Sequence, residues 1–284
     1  MDTNKIKKVG VVLRPSTPEI KDNYFRLEKI FKKHSIEVNI ESLSGGMIGV
    51  MGMDFDLLCE SSDALVTLGG DGTLISTVRR SFKHNIPILG VYAGKLGFLA
   101  DIKLDELDEF VAKMVRGDYR VDERAILEAK FIKNNKEVVQ YAFNDIVLTR
   151  PSVSNMIHVE TLVDGKAFNT YFGDGVIVST PTGSTAYNLS AGGPVLFPLT
   201  NVFALTPICP HSLTQRPVVL PGKFAIEMKT PKEKALLIID GQDKHELEQD
   251  ESIKIRLATN RVKLIHRDEF NYFEVLKEKL GWGE

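Results

Sequence analysis

Cysteine is scarce in this sequence. Only Cys59 and Cys209 occur among 284 residues, in no Cys-x-x-Cys pair, which excludes a disulfide framework and a thiolate zinc site and suits a reducing cytoplasm. The six histidines stand singly, with no His-x-His or His-Glu-x-x-His spacing, so no permanent metal centre is expected. Neither sign of charge dominates: 36 Lys+Arg against 38 Asp+Glu leave a formal net charge of -2, and no basic run is long enough to neutralise a nucleic-acid backbone. No apolar run reaches bilayer length, and the polar stretch Met1 to Lys8 lacks the apolar core and cleavage site of a secretory signal. The expectation is a cytoplasmic protein with neither nucleic acid nor membrane as partner. Internal repeats and low-complexity tracts are also missing.

What is present is a chain of 284 residues, 43% hydrophobic, long enough for two domains or one large one. Val9 to Leu13 reads as a strand closed by Arg14-Pro15, Asp22 to His34 as a helix, and Ile36 to Ile40 as a second strand. Ser44 to Met53, rich in Gly and Met, reads as a mobile loop. Ala64 to Leu68 is a buried strand, Leu74 to Phe82 a helix, and Pro87 to Val91 another strand. Leu104, Leu107, Phe110, Val111 and Met114 mark an amphipathic helix. This alternation predicts a mainly parallel sheet with helices packed on it. From about Tyr119 the texture changes to alternating runs: Ala125 to Ile132, Val138 to Leu148, Ile157 to Val163, Gly175 to Ser179, Ala235 to Asp240 and Ser252 to Leu257. Turns are expected at Lys136, Asp164-Gly165 and Pro221-Gly222. Domains are therefore expected at 1–120, α/β, and 121–265, β-rich, with 266–284 returning to the first as the helix Asp268 to Lys279.

The first chemically suggestive segment is Gly69-Gly70-Asp71-Gly72-Thr73, set between strand and helix. Glycines allow positive φ and close approach of a ligand, and a helix start presents free N–H groups to an anion, so the natural reading is a phosphate site. No Gly-Lys-Ser/Thr follows, so the Walker pattern fails; Gly173-Asp174-Gly175 fails the dinucleotide fingerprint because Val178 takes its third glycine position. A carboxylate beside polyphosphate is unfavourable unless it binds metal or takes a proton, and both roles belong to phosphoryl transfer. The alternative is a tight turn with a solvated Asp.

A second constellation runs from Ser179 through Thr180, Pro181, Thr182, Gly183, Ser184, Thr185, Ala186 and Tyr187 to Asn188, followed by Ser190-Ala191-Gly192-Gly193-Pro194. Hydroxyls and free backbone groups can read an adenine edge, and Tyr187 can cover a ring or sugar; a Ser/Thr-rich loop capping a helix is the competing reading. Ser184 and Ser190 lack the Gly-x-Ser-x-Gly elbow of a hydrolase nucleophile. His211 reads as a hydrogen-bonded interior or interface residue.

Taken in order, Gly69 to Thr73, Gly94-Lys95-Leu96-Gly97-Phe98-Leu99, Asn144-Asp145, Thr180 to Asn188, His211-Ser212-Leu213 with Arg216-Pro217, and Asp240-Gly241-Gln242 resemble the NAD kinase family over nearly the whole chain. The Gly-Gly-Asp-Gly-Thr turn alone is shared with lipid kinases and related to phosphofructokinases; the Thr-Gly-Ser-Thr-Ala-Tyr segment with Asn144-Asp145 is far more specific. The resemblance implies an α/β first domain, a β-sandwich-like second domain with the C-terminal helix packing back on the first, and a dinucleotide in the cleft between them. It implies phosphorylation of the adenosine 2′-hydroxyl of NAD to give NADP, with ATP or polyphosphate as donor, Mg²⁺ or another divalent cation carried with the donor, and a homodimer or homotetramer. Asp71 matches the general base, with Gly72 beside it at the pyrophosphate and Gly70 as a further substrate-binding candidate. Asn144 and Asp145 match the pair that holds the adenosine ribose, and Asp174 matches a contact near the nicotinamide end. Thr185, Ala186, Tyr187 and Ser190 match the adenine-reading segment, with Thr182 and Asn188 as companions and Gln242 as a further candidate. The chain departs from the family at Tyr92, where many members carry Asn, and at Phe172, a position often basic in relatives. A lipid kinase would share the turn but present an apolar acceptor patch, and a dinucleotide sensor would keep the binding groups without turnover.

Overall fold

The computed structural model describes residues 6–94, 96–152 and 155–283. Two compact units divide the chain, Met1–Glu123 with Val262–Glu284, and Arg124–Arg261.

In the first unit a sheet runs in the order Glu37–Ile40, Lys8–Leu13, Ala64–Leu68, Ile88–Tyr92, Val262–His266, Arg120–Arg124, with Ile102–Lys103 also paired to Ile88–Tyr92. The pairs from Glu37–Ile40 through Val262–His266 are parallel. Ala64–Leu68 is buried along its whole length, the pattern of a parallel strand covered on both faces. Helix Lys21–Lys33 buries Tyr24, Leu27 and Phe31, and helix Leu107–Arg116 buries Leu107, Phe110, Val111 and Met114, the one-sided spacing that lets a helix pack on a sheet. The chain returns to this unit as a strand before it becomes a helix. Val262–His266 pairs with Ile88–Tyr92, and Tyr272–Leu280 follows, its first turn capped by Asn271 Oδ1 accepting from the Phe273 N–H at 3.0 Å.

The second unit holds two antiparallel sheets among its described residues. One runs Lys166–Gly173, Ile157–Val163, Ala225–Lys229, Ser252–Leu257, Leu127–Lys133, Lys136–Ala142; the other runs Val218–Pro221, Val202–Ile208, Gly175–Ser179, Asp145–Thr149, Ala235–Ile239, Asp243–Leu247. A single core takes alternate residues from both, including Leu127, Ala129 and Phe131 from one and Ala235, Leu237 and Ile239 from the other, so the unit is a sandwich. Val147, Ile177 and Ile208 form a separate cluster with Ala191 packed against it. The segment after Ser179 thus covers the outer face of the second sheet, which explains why Gly175–Ser179 is buried throughout instead of alternating.

Three local expectations are corrected. Ser44 to Met53 is a loop only in its second half: Ser42–Ile48 is helical and Gly49 turns the chain with a positive φ, while Gly45 and Gly52 serve close packing, since a Cβ on Gly52 would lie 2.5 Å from the Glu41 carbonyl oxygen. The buried Ser44 hydroxyl ties the turn down, donating to Glu41 Oε2 at 2.9 Å and accepting from the Leu13 N–H at 3.0 Å. The helix after the Gly-Gly-Asp-Gly-Thr turn begins at Asp71, not Leu74. The run Val138 to Leu148 is two strands, Lys136–Ala142 and Asp145–Thr149, lying in different sheets, so Phe143-Asn144 is the corner where the chain changes sheet.

Candidate active site

In the first unit Asp71 is the first residue of helix Asp71–Ser81, just beyond the end of strand Ala64–Leu68. Its carboxylate is held from outside the helix. Oδ2 accepts the Phe98 N–H at 2.7 Å, while Oδ1 accepts those of Leu99 at 3.2 Å and Ala100 at 3.4 Å. Gly97 permits this contact: a Cβ there would stand 2.0 Å from Asp71 Oδ1. Positive φ, expected of the glycines flanking Asp71, is not used, since Gly69, Gly70 and Gly72 are absent from the positive-φ residues. Gly69 is instead needed for space, a Cβ there meeting Thr73 Oγ1 at 2.4 Å, whereas Gly70 and Gly72 are exposed and a Cβ on either would meet, beyond its chain neighbours, no atom of the described residues within 4 Å. The surface beside Asp71 is therefore open at Gly70 and Gly72 and closed at Gly69 and Gly97.

In the second unit the Asn144-Asp145 corner is built by a residue 95 to 97 positions away. The Asp240 carboxylate accepts the N–H groups of Phe143 at 2.7 Å, Asn144 at 2.7 Å and Asp145 at 2.9 Å, and the Asp240 N–H donates back to the Asp145 carbonyl at 2.9 Å. On the other side Thr180 donates its hydroxyl to the Phe143 carbonyl at 2.6 Å and its N–H to that of Asn144 at 2.9 Å. Gly183 lies against the same backbone, where a Cβ would come within 2.1 Å of the Asn144 carbonyl oxygen. Burial, and then the neighbouring Asp240 charge, push the Asp145 carboxyl up to about 7. Asn144 is half-buried, and its side-chain amide meets no protein partner among the described residues.

The segment Thr182 to Ser190 divides into residues held inside and residues presented outward. Asn188 is fully buried: its amide donates to the carbonyls of Ser184 at 3.1 Å and Pro194 at 3.0 Å, and its Oδ1 accepts the Thr206 hydroxyl at 2.7 Å. Thr182 is also buried, and its hydroxyl oxygen has no hydrogen-bond partner among the described residues. Thr185 and Ala186 are half-buried, Tyr187 and Ser190 exposed. The partial burial of its ring first, and then the charges of Cys209, Asp174 and Asp145, hold the Tyr187 phenol above its ordinary range. Asp174 there pairs with Arg150 Nη2 at 3.1 Å. Gln242 is exposed in the hairpin turn that follows Asp240, its N–H donating to the Ile239 carbonyl at 2.9 Å. His211 is an exposed residue rather than an interior one, its ring edge-on to Phe172 at 5.6 Å, and Phe172 stacks on His158 at 4.4 Å.

Two halves of the chain match family models, the N-terminal domain of ATP-NAD kinase over residues 9–119 and its C-terminal domain over residues 143–267. The chain belongs to the NAD kinase family. A Sulfurimonas denitrificans protein named NAD kinase is 69% identical over 284 residues, covering all of both chains, and a Wolinella succinogenes NAD kinase is 48% identical over 99% of this chain and 97% of its own. Among solved structures, yeast NADH kinase complexed with NADH superposes with a TM-score of 0.91 at 26% identity, over 99% of this chain and 89% of that one. An Archaeoglobus fulgidus NAD kinase in complex with ATP gives 0.78 at 25% identity, over 96% of this chain and 98% of that one. The C-terminal family match runs through Val262–His266, although that strand is built into the first unit's sheet.

Sequence reasoning missed the two devices that hold the NAD kinase motifs in place. Asp240 stands in the motif Asp240-Gly241-Gln242, where Gln242 is the candidate read from the sequence, yet Asp240 is the residue that fixes the Asn144-Asp145 corner. The Gly94 to Leu99 run is a family motif whose residues Gly97 and Phe98 turn out to grip Asp71; Lys95 of that run lies outside the described residues. Among the described residues no group of three or more His, Cys, Asp and Glu side chains gathers to hold a metal ion, and both Asp71 oxygens already accept N–H groups.

Proposed function

We propose that the chain moves the terminal phosphoryl group of ATP, or of another polyphosphate donor, onto the 2′-hydroxyl of the adenosine ribose of NAD, giving NADP, with Asp71 as general base. The observation that carries this is the suspension of Asp71 at the start of its helix, beside the open surface of Gly70 and Gly72. A solvated turn residue would not have both carboxylate oxygens engaged. A carboxylate offers about four lone-pair sites, and three N–H donors leave one to accept the ribose hydroxyl. As the proton passes to Asp71, the 2′-oxygen bonds to the terminal phosphorus, the bond from that phosphorus to its bridging oxygen breaks, and the nucleoside diphosphate leaves with the electron pair. The cation, Mg²⁺ or another divalent ion carried on the donor phosphates, screens their charge.

The second unit supports the recognition half of this reading. Asn144, with its amide unspent, and Asp145 hold the ribose; Thr185, Ala186, Tyr187 and Ser190 read the adenine; Asp174 lies toward the nicotinamide end. Thr182 and Asn188 act from inside, keeping that segment in shape, and Gln242 borders the corner that Asp240 braces. We take the enzyme to work in the cytoplasm as a homodimer or homotetramer. Among the described residues no helix is long and apolar enough to cross a membrane. The test is a donor-by-acceptor matrix, with NAD and NADH against ATP, other triphosphates and polyphosphate, with Mg²⁺ or with chelator. NADP appearing only with a donor and a divalent cation is the expected result; NAD binding without product under every donor would leave a sensor in place of a kinase.

A further inference from the structure

We infer that the C-terminal return of the chain positions Asp71, acting through the segment Leu96 to Asp101, with Arg267 and Lys279 as the positioning residues. The inference rests on the reading of Asp71 as the reacting carboxylate. The middle of this segment supplies the three N–H groups that hold the carboxylate, from Phe98, Leu99 and Ala100. Both of its ends are gripped by the C-terminal return. At one end the Leu96 carbonyl accepts from Lys279 Nζ, on the last turn of helix Tyr272–Leu280. At the other, Arg267 Nη2 donates to the Asp101 carbonyl at 2.8 Å, the Arg267 N–H donates to Asp101 Oδ2 at 3.2 Å, and His266 Nδ1 lies 3.2 Å from Asp101 Oδ1.

The grip has a rigid base. His266 ends a strand of the parallel sheet, is almost wholly buried, and stacks on Phe270 with centroids 4.5 Å apart and planes 7° from parallel. Arg267 Nη2 also donates to Glu106 Oε2 at 2.7 Å, so one nitrogen ties the Asp101 carbonyl to a second anchor. Tyr92, the departure from the family pattern, stands within the same group of charges: burial first, then Glu106, raise its phenol above the ordinary range, and Arg267 opposes them. Neither Arg267 nor Lys279 bonds to Asp71. Their effect is to keep a backbone segment from swinging away, and an ångström of misplacement at a reacting group costs up to about a hundredfold in rate.

The experiment compares Lys279→Met, Lys279→Arg and Arg267→Met in the full chain, reading kcat, the KM for NAD and hydrogen exchange of the peptide spanning 96–103. Lys279→Met is expected to lower kcat about tenfold while KM stays within about twofold, because the interaction acts on the transition state and not on substrate binding. Exchange of the peptide should accelerate in step, Lys279→Arg should restore both, and Arg267→Met should behave as Lys279→Met does. Should Arg267→Met fail to fold, Lys279→Met, altered on a half-exposed last helical turn, still decides the matter. Unchanged exchange, or faster exchange with wild-type kcat, overturns the inference. Comparison with Asp71→Asn separates the two claims: an active Asp71→Asn sinks the base assignment, whereas an inactive Asp71→Asn beside a fully active Lys279→Met sinks only the positioning role.

Discussion

Asp145 should make the stability of the ligand-free chain fall as pH rises through neutrality. Its carboxyl titrates near 7 in the folded chain, raised by burial and by Asp240, against an ordinary carboxylate value of 3.8 in the unfolded chain. The folded state therefore holds the proton more tightly, and the stabilisation from that proton is complete below the unfolded value and lost as pH passes the folded one. Between pH 6 and pH 8 the linkage relation gives a loss of about 1.4 kcal/mol from this one group. Asp145→Asn keeps the shape and cannot ionise, so it should lack this component. Urea unfolding of both proteins at pH 6 and pH 8 isolates the effect, because groups common to both cancel in the difference of differences. If wild type and variant lose stability equally over that range, Asp145 is not held protonated by its surroundings and the account of the buried corner is wrong.

Two further outcomes follow from side-chain geometry. Gly97→Ala forces a methyl group to within 2.0 Å of Asp71 Oδ1 and should reduce kcat by about a hundredfold, whereas Gly70→Ala meets no protein atom and should fold normally, any rise in donor KM reporting a ligand that passes over it; steady-state kinetics of the pair checks both. Asn188→Ala removes two donated hydrogen bonds and one accepted in a buried site and should cost roughly 3 kcal/mol, seen in denaturant unfolding; a loss under about 1 kcal/mol would mean that the segment does not depend on this amide.

Much of the fold is legible in local pattern. Ile157 to Val163, Gly175 to Ser179 and Ser252 to Leu257 form strands with the ends read from the sequence, because alternating or continuous apolar runs between turn residues leave little choice. Ser42–Ile48 was illegible for the opposite reason: Gly45 and Gly52 serve close backbone packing, and composition alone cannot separate that use from flexibility. The candidate site was legible as motifs and illegible as mechanics. Asp71 and Asn144-Asp145 announce themselves by residue type, but what fixes each is backbone N–H donation to a carboxylate far away in sequence, from Phe98 to Ala100 onto Asp71 and from Phe143 to Asp145 onto Asp240. Backbone donors carry no side-chain signature, so only the spatial arrangement reveals them. Helix Asp71–Ser81 starts three residues before its apolar periodicity does, because its first turn is made of the motif itself.

The most direct measurement is the single-turnover rate of phosphoryl transfer to bound NAD by Asp71→Asn, taken alongside its affinity for NAD. Loss of the proton acceptor should slow the step by about a hundredfold or more with affinity changed only a few-fold. A variant that transfers phosphoryl at the wild-type rate would contradict the account.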